Sequence, residues 1–211
     1  MIMSILEKIK QYQLLPVIKL DHSEDARPLA EALCAGGLPA AEITFRTDAA
    51  SGSIRSMRTS FPQMLVGAGS ISNVSQAQQA EDAGAQFLVS AGINRKVIEF
   101  AIDHRLPIFP GICTPTELMT LMEYELPVAK FFPAEQFGGL NTIKALSAPF
   151  PSMRFMPTGG INPQNIMTYL SNEKVIACGG SWMVKDALIR NGDFQKIQML
   201  TQEAVALMKG E

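Results

Sequence analysis

Pro127-Val128-Ala129-Lys130-Phe131-Phe132-Pro133 is a short apolar run closed at each end by proline, with one lysine at its centre. Such a run reads as a buried strand. An unpaired ammonium held there is costly, so a lysine so placed sheds its proton or finds a partner. A neutral amine at a strand end is the nucleophile that Schiff-base chemistry requires. The competing reading is a lysine whose head snorkels to the surface.

Seven more runs of this kind lie along the chain, at residues 15–18, 41–44, 64–67, 87–90, 107–110, 154–157 and 175–178. They recur about every two dozen residues, roughly the chain a βα unit consumes. Stretches with helical spacing fall between them. Glu24 to Ala35 places Ala26, Leu29, Ala30 and Leu33 on one face and ends at Gly36-Gly37. Asn73 and Asn94 are good first caps for helices reaching Ala83 and His104. Thr114-Pro115-Thr116-Glu117 has the spacing of a capping box with proline at its first helical position. Asn162-Pro163 repeats the cap-and-proline pattern, and Phe194 to Lys209 carries an apolar stripe.

Strands alternating with helices imply a parallel sheet under helices, an α/β fold. Eight repeats predict a closed (β/α)8 TIM barrel, with an extra N-terminal helix over Met1 to Gln13. No linker or shift of composition appears, so residues 1–211 are expected to form a single domain. An open doubly wound sheet is the alternative; no G-x-G-x-x-G follows the first run, which disfavours it.

Net charge is -2, so no basic field exists to attract nucleic acid. No apolar run approaches the ~20 residues of a membrane helix, and the N-terminus lacks the layout of a secretory signal. Cys34, Cys113 and Cys178 show no metal-ligand spacing and suggest reduced thiols in the cytoplasm. With only His22 and His104 available, both in polar contexts, a histidine triad or metal site is not expected.

In a barrel, function gathers where strands end. Strand alternation puts Glu42 and Thr44 on one face, and Lys130 on a face with Val128 and Phe132. If both faces look inward, Glu42 and Lys130 converge; a paired structural ion is the other reading of Glu42. Thr158-Gly159-Gly160 and Gly179-Gly180-Ser181 follow the last two runs, where backbone N–H groups commonly hold phosphate. Glycines that merely make tight turns are the plainer reading. Arg46 stands just beyond Glu42, where its guanidinium could grip the carboxylate of a 2-oxo acid or simply lie at the surface.

These segments together resemble the 2-keto-3-deoxy-6-phosphogluconate (KDPG) and 4-hydroxy-2-oxoglutarate aldolases over nearly the whole chain. The matching pieces are residues 15–18, 42–47, 67–70, 110–112, 130–135, 157–161 and 179–182. The resemblance implies a metal-free, cofactor-free class I aldolase that works as a homotrimer on a phosphorylated 2-oxo acid. It implies that Lys130 forms the Schiff base and that Glu42 is the general acid/base. Arg46, Ser70 and Thr158 would hold the pyruvate portion, with Phe132 beside them. Gly159, Gly160, Gly179, Gly180 and Ser181 would hold the phosphate. Ser70 stands where threonine is common in the family, and Ala91 where proline is common. The C4-epimeric substrate, an isomerase or synthase that forms no imine, and a silent sugar-phosphate binder are the alternatives.

Overall fold

The computed structural model describes residues 4–210. Nine strands run through it: β1 (Leu14–Ile18), β2 (Ala40–Thr44), β3 (Leu65–Gly69), β4 (Leu88–Val89), β5 (Ile108–Phe109), β6 (Gly111–Ile112), β7 (Val128–Phe131), β8 (Arg154–Pro157) and β9 (Cys178–Gly180). The helices are α1 (Ile5–Tyr12), α2 (Ala26–Ala35), α3 (Ala49–Ser60), α4 (Val74–Asp82), α5 (Arg95–Asp103), α6 (Pro115–Glu123), α7 (Gly139–Ser147), α8 (Ile166–Leu170), α9 (Asp186–Arg190) and α10 (Phe194–Lys209). Every strand pairing is parallel. All five residues of β2 and of β3 are buried. Burial on both faces is why β3 reads as an unbroken apolar run; β2 is equally buried yet carries Glu42 and Thr44.

The expected closed eight-stranded barrel is not what forms. One sheet has six strands in the order β5-β4-β3-β2-β1-β9, and a second has three in the order β6-β7-β8. Proline marks both seams. In the fifth run Ile108 and Phe109 pair with β4, while Gly111 and Ile112, just beyond it, pair with β7. Pro110 lies between these two pairings and has no N–H to give to a continuous ladder. At the other seam β8 meets the last segment only through single bridges, Phe155 with Val175 and Thr158 with Gly179. Pro157 stands between those bridges, again without a donor. The eighth run therefore contributes strand only from Cys178 onward.

The helix signals fare better, and their caps explain why. Ser4 and Glu7 form a capping box at the start of α1; Met1 to Met3 of the expected N-terminal helix lie outside the described residues. Asn73 accepts from the Gln76 N–H at the head of α4, and Asn94 from the Lys96 and Val97 N–H groups at the head of α5. The Phe194–Lys209 helix forms as expected and buries Ile197, Thr201 and Ala204. At Asn162-Pro163 the cap forms, with Asn162 Oδ1 accepting the Gln164 N–H and the Asn162 carbonyl accepting the Ile166 N–H, but the regular helix α8 starts only at Ile166.

Thr114 and Glu117 close the capping box of α6, directly after β6. Glu117 Oε2 accepts from the Cys113 N–H at 2.8 Å, the Thr114 N–H at 2.9 Å and the Thr114 hydroxyl at 2.8 Å. Burial alone would raise this carboxyl, but those donors outweigh it and hold it below its ordinary value. A carboxyl lowered on folding stabilises above its unfolded value, and that contribution is lost as pH falls through the folded value. Glu117→Ala is expected to cost about 1 kcal/mol at neutral pH. In denaturant titrations the gap to the parent protein should narrow as pH falls below the ordinary carboxylate range. A gap unchanged in acid would contradict this account.

Candidate active site

Lys130 lies in β7, in register with Gly111 of β6 and Met156 of β8. Glu42 lies in β2, in register with Val17 of β1 and Gly67 of β3. The two residues therefore belong to different sheets, 88 positions apart in the chain. Lys130 Nζ nevertheless donates to Glu42 Oε1 at 3.2 Å. Lys130 is 5% exposed and Glu42 1%. Two charged residues so deep must pair or lose their charges. The proton that an attacking amine must lose thus has a carboxylate within reach.

Local packing holds this carboxylate in place. Gly69 lies two residues beyond the register partner of Glu42, on the same face of β3. A Cβ on Gly69 would sit 2.2 Å from Glu42 Oε1, so the strand opposite the carboxylate has room only for glycine. Glu42 spends Oε1 on the lysine, and its buried Oε2 has no hydrogen-bond partner among the described residues. Thr158 Oγ1 is buried and unpartnered in the same sense. Buried polar atoms are rarely left so, and those that are call for a functional or strain explanation. On the other flank, Lys130 Nζ lies 5.5 Å from the centroid of the Phe132 ring.

A cavity of about 220 Å³ opens at the C-terminal ends of the strands. Thr44, Arg46, Phe132, Thr158, Gly159, Gly160, Gly179, Gly180 and Ser181 all line it. Lys130 and Glu42 are not on this lining. They stand two residues before Phe132 and Thr44 on the same strand faces, one step deeper. Thr44 Oγ1 donates to the Ile18 carbonyl at 2.9 Å, which ties β2 to β1 beside the cavity. Arg46 Nε donates to Ser70 Oγ at 3.0 Å, so the serine joins the site through the arginine and not through the cavity wall. Ser70 adopts a positive φ of 57°, a conformation uncommon for a residue with a side chain.

The structure thus gathers the sequence candidates around one cavity, with Ser70 at its edge. It also adds two residues that strand-end reading passed over. Lys19 follows β1 directly and lines the cavity with Asp186. Its Nζ lies 2.6 Å from Asp21 Oδ1 and 4.0 Å from Asp186 Oδ2. Listing every polar residue after a strand would have found Lys19. Asp186 opens a helix and gave no signal in the sequence. Cys178, in β9, is buried and its thiol is pushed up to about 12, so it does not compete as a nucleophile. Among the described residues no group of three or more His, Cys, Asp or Glu side chains is placed to hold a metal ion.

Comparison with known proteins identifies the family. The family model for KDPG and KHG aldolase, in which KHG denotes 4-hydroxy-2-oxoglutarate, matches residues 5–200. A 2-dehydro-3-deoxy-phosphogluconate aldolase of Treponema pallidum is 43% identical over 205 residues, covering 97% of this chain and 98% of that protein. The KDPG aldolase of Legionella pneumophila, with pyruvate captured as a covalent carbinolamine intermediate, superposes with a TM-score of 0.91. It is 36% identical and covers 95% of this chain and 98% of that one. The KDPG aldolase of Zymomonas mobilis ZM4 with 3-phosphoglycerate gives a TM-score of 0.89 at 36% identity, covering 96% and 95%. With two sheets joined by a buried lysine–glutamate pair and a family match over nearly its whole length, the chain belongs to the KDPG and KHG aldolase family.

Proposed function

We propose that the protein is a class I aldolase that cleaves KDPG to pyruvate and glyceraldehyde 3-phosphate, and 4-hydroxy-2-oxoglutarate to pyruvate and glyoxylate. The observation that carries this reading is the buried Lys130–Glu42 contact at 3.2 Å, one step beneath a cavity ringed by glycine loops. The Legionella relative, which captures pyruvate covalently, supports a covalent route.

Lys130 Nζ, as the free amine, attacks C2 of the 2-oxo acid and forms a carbinolamine. Loss of water leaves an iminium, which draws electrons from the C3–C4 bond. Glu42 takes the proton of the C4 hydroxyl as that bond breaks. The aldehyde leaves and an enamine remains. Protonation of the enamine at C3 and hydrolysis of the iminium return the amine and release pyruvate. The other candidates hold the substrate. Arg46 suits the carboxylate, with Ser70 steering the guanidinium. Thr158 offers a buried hydroxyl, and Phe132 covers the reacting carbon. The loops at Gly159-Gly160 and Gly179-Gly180-Ser181 receive the phosphate. Nothing in these steps calls for a metal or an organic cofactor.

The same reading carries a single domain over residues 1–211, assembled as a homotrimer in the cytoplasm. The unpaired cysteines Cys34, Cys113 and Cys178 suit a reducing compartment. An isomerase that forms no imine would have no use for an amine so deeply buried. The test is pyruvate release, coupled to its reduction by lactate dehydrogenase, from KDPG and from 4-hydroxy-2-oxoglutarate. Turnover of either supports the assignment. A folded protein that releases pyruvate from neither overturns it.

A further inference from the structure

Gly159 and Gly160 line the cavity with Ile161, at positive φ values of 102° and 79° for the two glycines. What fixes their peptide planes lies on the far side of the loop. The Gly159 carbonyl accepts the Glu135 N–H at 3.1 Å. The Gly160 carbonyl accepts two side-chain amides, Asn162 Nδ2 at 3.1 Å and Asn165 Nδ2 at 3.0 Å. Asn165 is itself oriented, because its Oδ1 accepts the Asn162 N–H at 2.9 Å. Asn162 Oδ1 accepts the Gln164 N–H at 2.9 Å.

In a planar trans peptide the N–H points opposite to the carbonyl. Holding the Gly159 carbonyl against Glu135 therefore turns the Gly160 N–H away from that contact. Holding the Gly160 carbonyl against the two asparagines turns the Ile161 N–H the other way in the same manner. Neither N–H finds an acceptor among the described residues. Glu135 also fills the space behind the loop: a Cβ on Gly160 would lie 2.5 Å from Glu135 Cγ. The Glu135 carboxylate accepts the Tyr169 hydroxyl from α8. The loop is thus braced from behind by three side chains that do not line the cavity.

We infer that Asn162 and Asn165 are positioning residues: by gripping the Gly160 carbonyl they aim the Ile161 N–H, beside the Gly160 N–H that Glu135 sets, at an anion and so set the preference for substrates with a terminal phosphate. This rests on the aldolase reading given above. In 4-hydroxy-2-oxoglutarate the distal anion is a carboxylate attached directly to C4, short of the phosphate that KDPG carries on C6 and so short of those N–H groups; the two substrates therefore respond differently when the grip is loosened. Two free N–H groups facing one oxyanion form charge-assisted hydrogen bonds, which are stronger than neutral ones.

The test compares the parent enzyme with Asn165→Ala on KDPG and on 4-hydroxy-2-oxoglutarate, with inorganic phosphate as a competing inhibitor. For KDPG, kcat/KM is expected to fall about 10-fold or more, through KM, with kcat little changed. Inhibition by phosphate should weaken by a similar factor. Kinetics on 4-hydroxy-2-oxoglutarate should stay within about 2-fold. An equal loss on both substrates, or no loss on either, overturns the inference. If Asn165→Ala does not fold, Asn162→Ala removes the other donor to the same carbonyl and must show the same split, in smaller measure. A parent enzyme inert towards both substrates would instead sink the aldolase assignment itself.

Discussion

Replacing Lys130 by alanine is expected to abolish pyruvate release, lowering kcat by at least about 10⁴-fold on every substrate. The loss is chemical first. Without the Nζ no iminium forms, and the C3–C4 bond has nowhere to send its electrons. Among the described residues, the only other lysine at the cavity is Lys19, which lies at the mouth and is paired with Asp21. Removing the lysine also leaves Glu42, 1% exposed, without its partner. Stranding one member of a buried pair costs about 3–5 kcal/mol, so the alanine variant should also melt earlier. Lys130→Arg separates the two effects. Arginine keeps a cation beside Glu42 but holds its proton at every accessible pH. That variant should be inactive with a smaller loss of stability. Substantial activity in either variant, read by coupled pyruvate assay, would remove Lys130 from the mechanism.

The second large effect is expected at Glu42. Glu42→Gln keeps the shape and an oxygen that can still accept from Lys130 Nζ, but it cannot carry a proton to or from the C4 oxygen. Turnover should fall about 10²–10⁴-fold, with the loss in kcat. Packing leaves no easy substitute, because Gly69 presses against the carboxylate and no larger residue could stand there to hold a replacement base. Imine formation should survive in part, since the nucleophile is intact. Near-normal turnover would show that the carboxylate serves only as a counter-ion.

The pair at the centre of the site was legible as a condition: strand parity groups Glu42 with Thr44 and Lys130 with Phe132, and the two converge if those faces look inward, as they do. The closure of the sheet was not legible. Pro110 and Pro157 were read as ends of apolar runs, and their missing N–H groups decide where the ladders stop. The helix α3 is not among the sequence expectations, although Ala50, Ile54 and Met57 stand at helical spacing and are buried on one face. Asn162 does cap the turn the sequence marks: its Oδ1 accepts the Gln164 N–H and its carbonyl the Ile166 N–H, while its free Nδ2 holds the Gly160 carbonyl, a second task no local pattern announces. Lys19 follows the first strand with no motif around it, and only the folded chain brings it to the cavity. Helix caps, whose partners lie within a turn, were legible; where the parallel ladders stop depends on pairing between segments far apart in the chain and was not.

The central claim is that one buried amine captures the keto carbon, and trapping tests it most directly. The unaltered enzyme is incubated with pyruvate, reduced with borohydride, digested and mapped by mass spectrometry. The account predicts a single reduced adduct on the peptide that contains Lys130, formed only when pyruvate and borohydride are both present. An adduct on any other lysine, or none while the enzyme still releases pyruvate from KDPG, would contradict it.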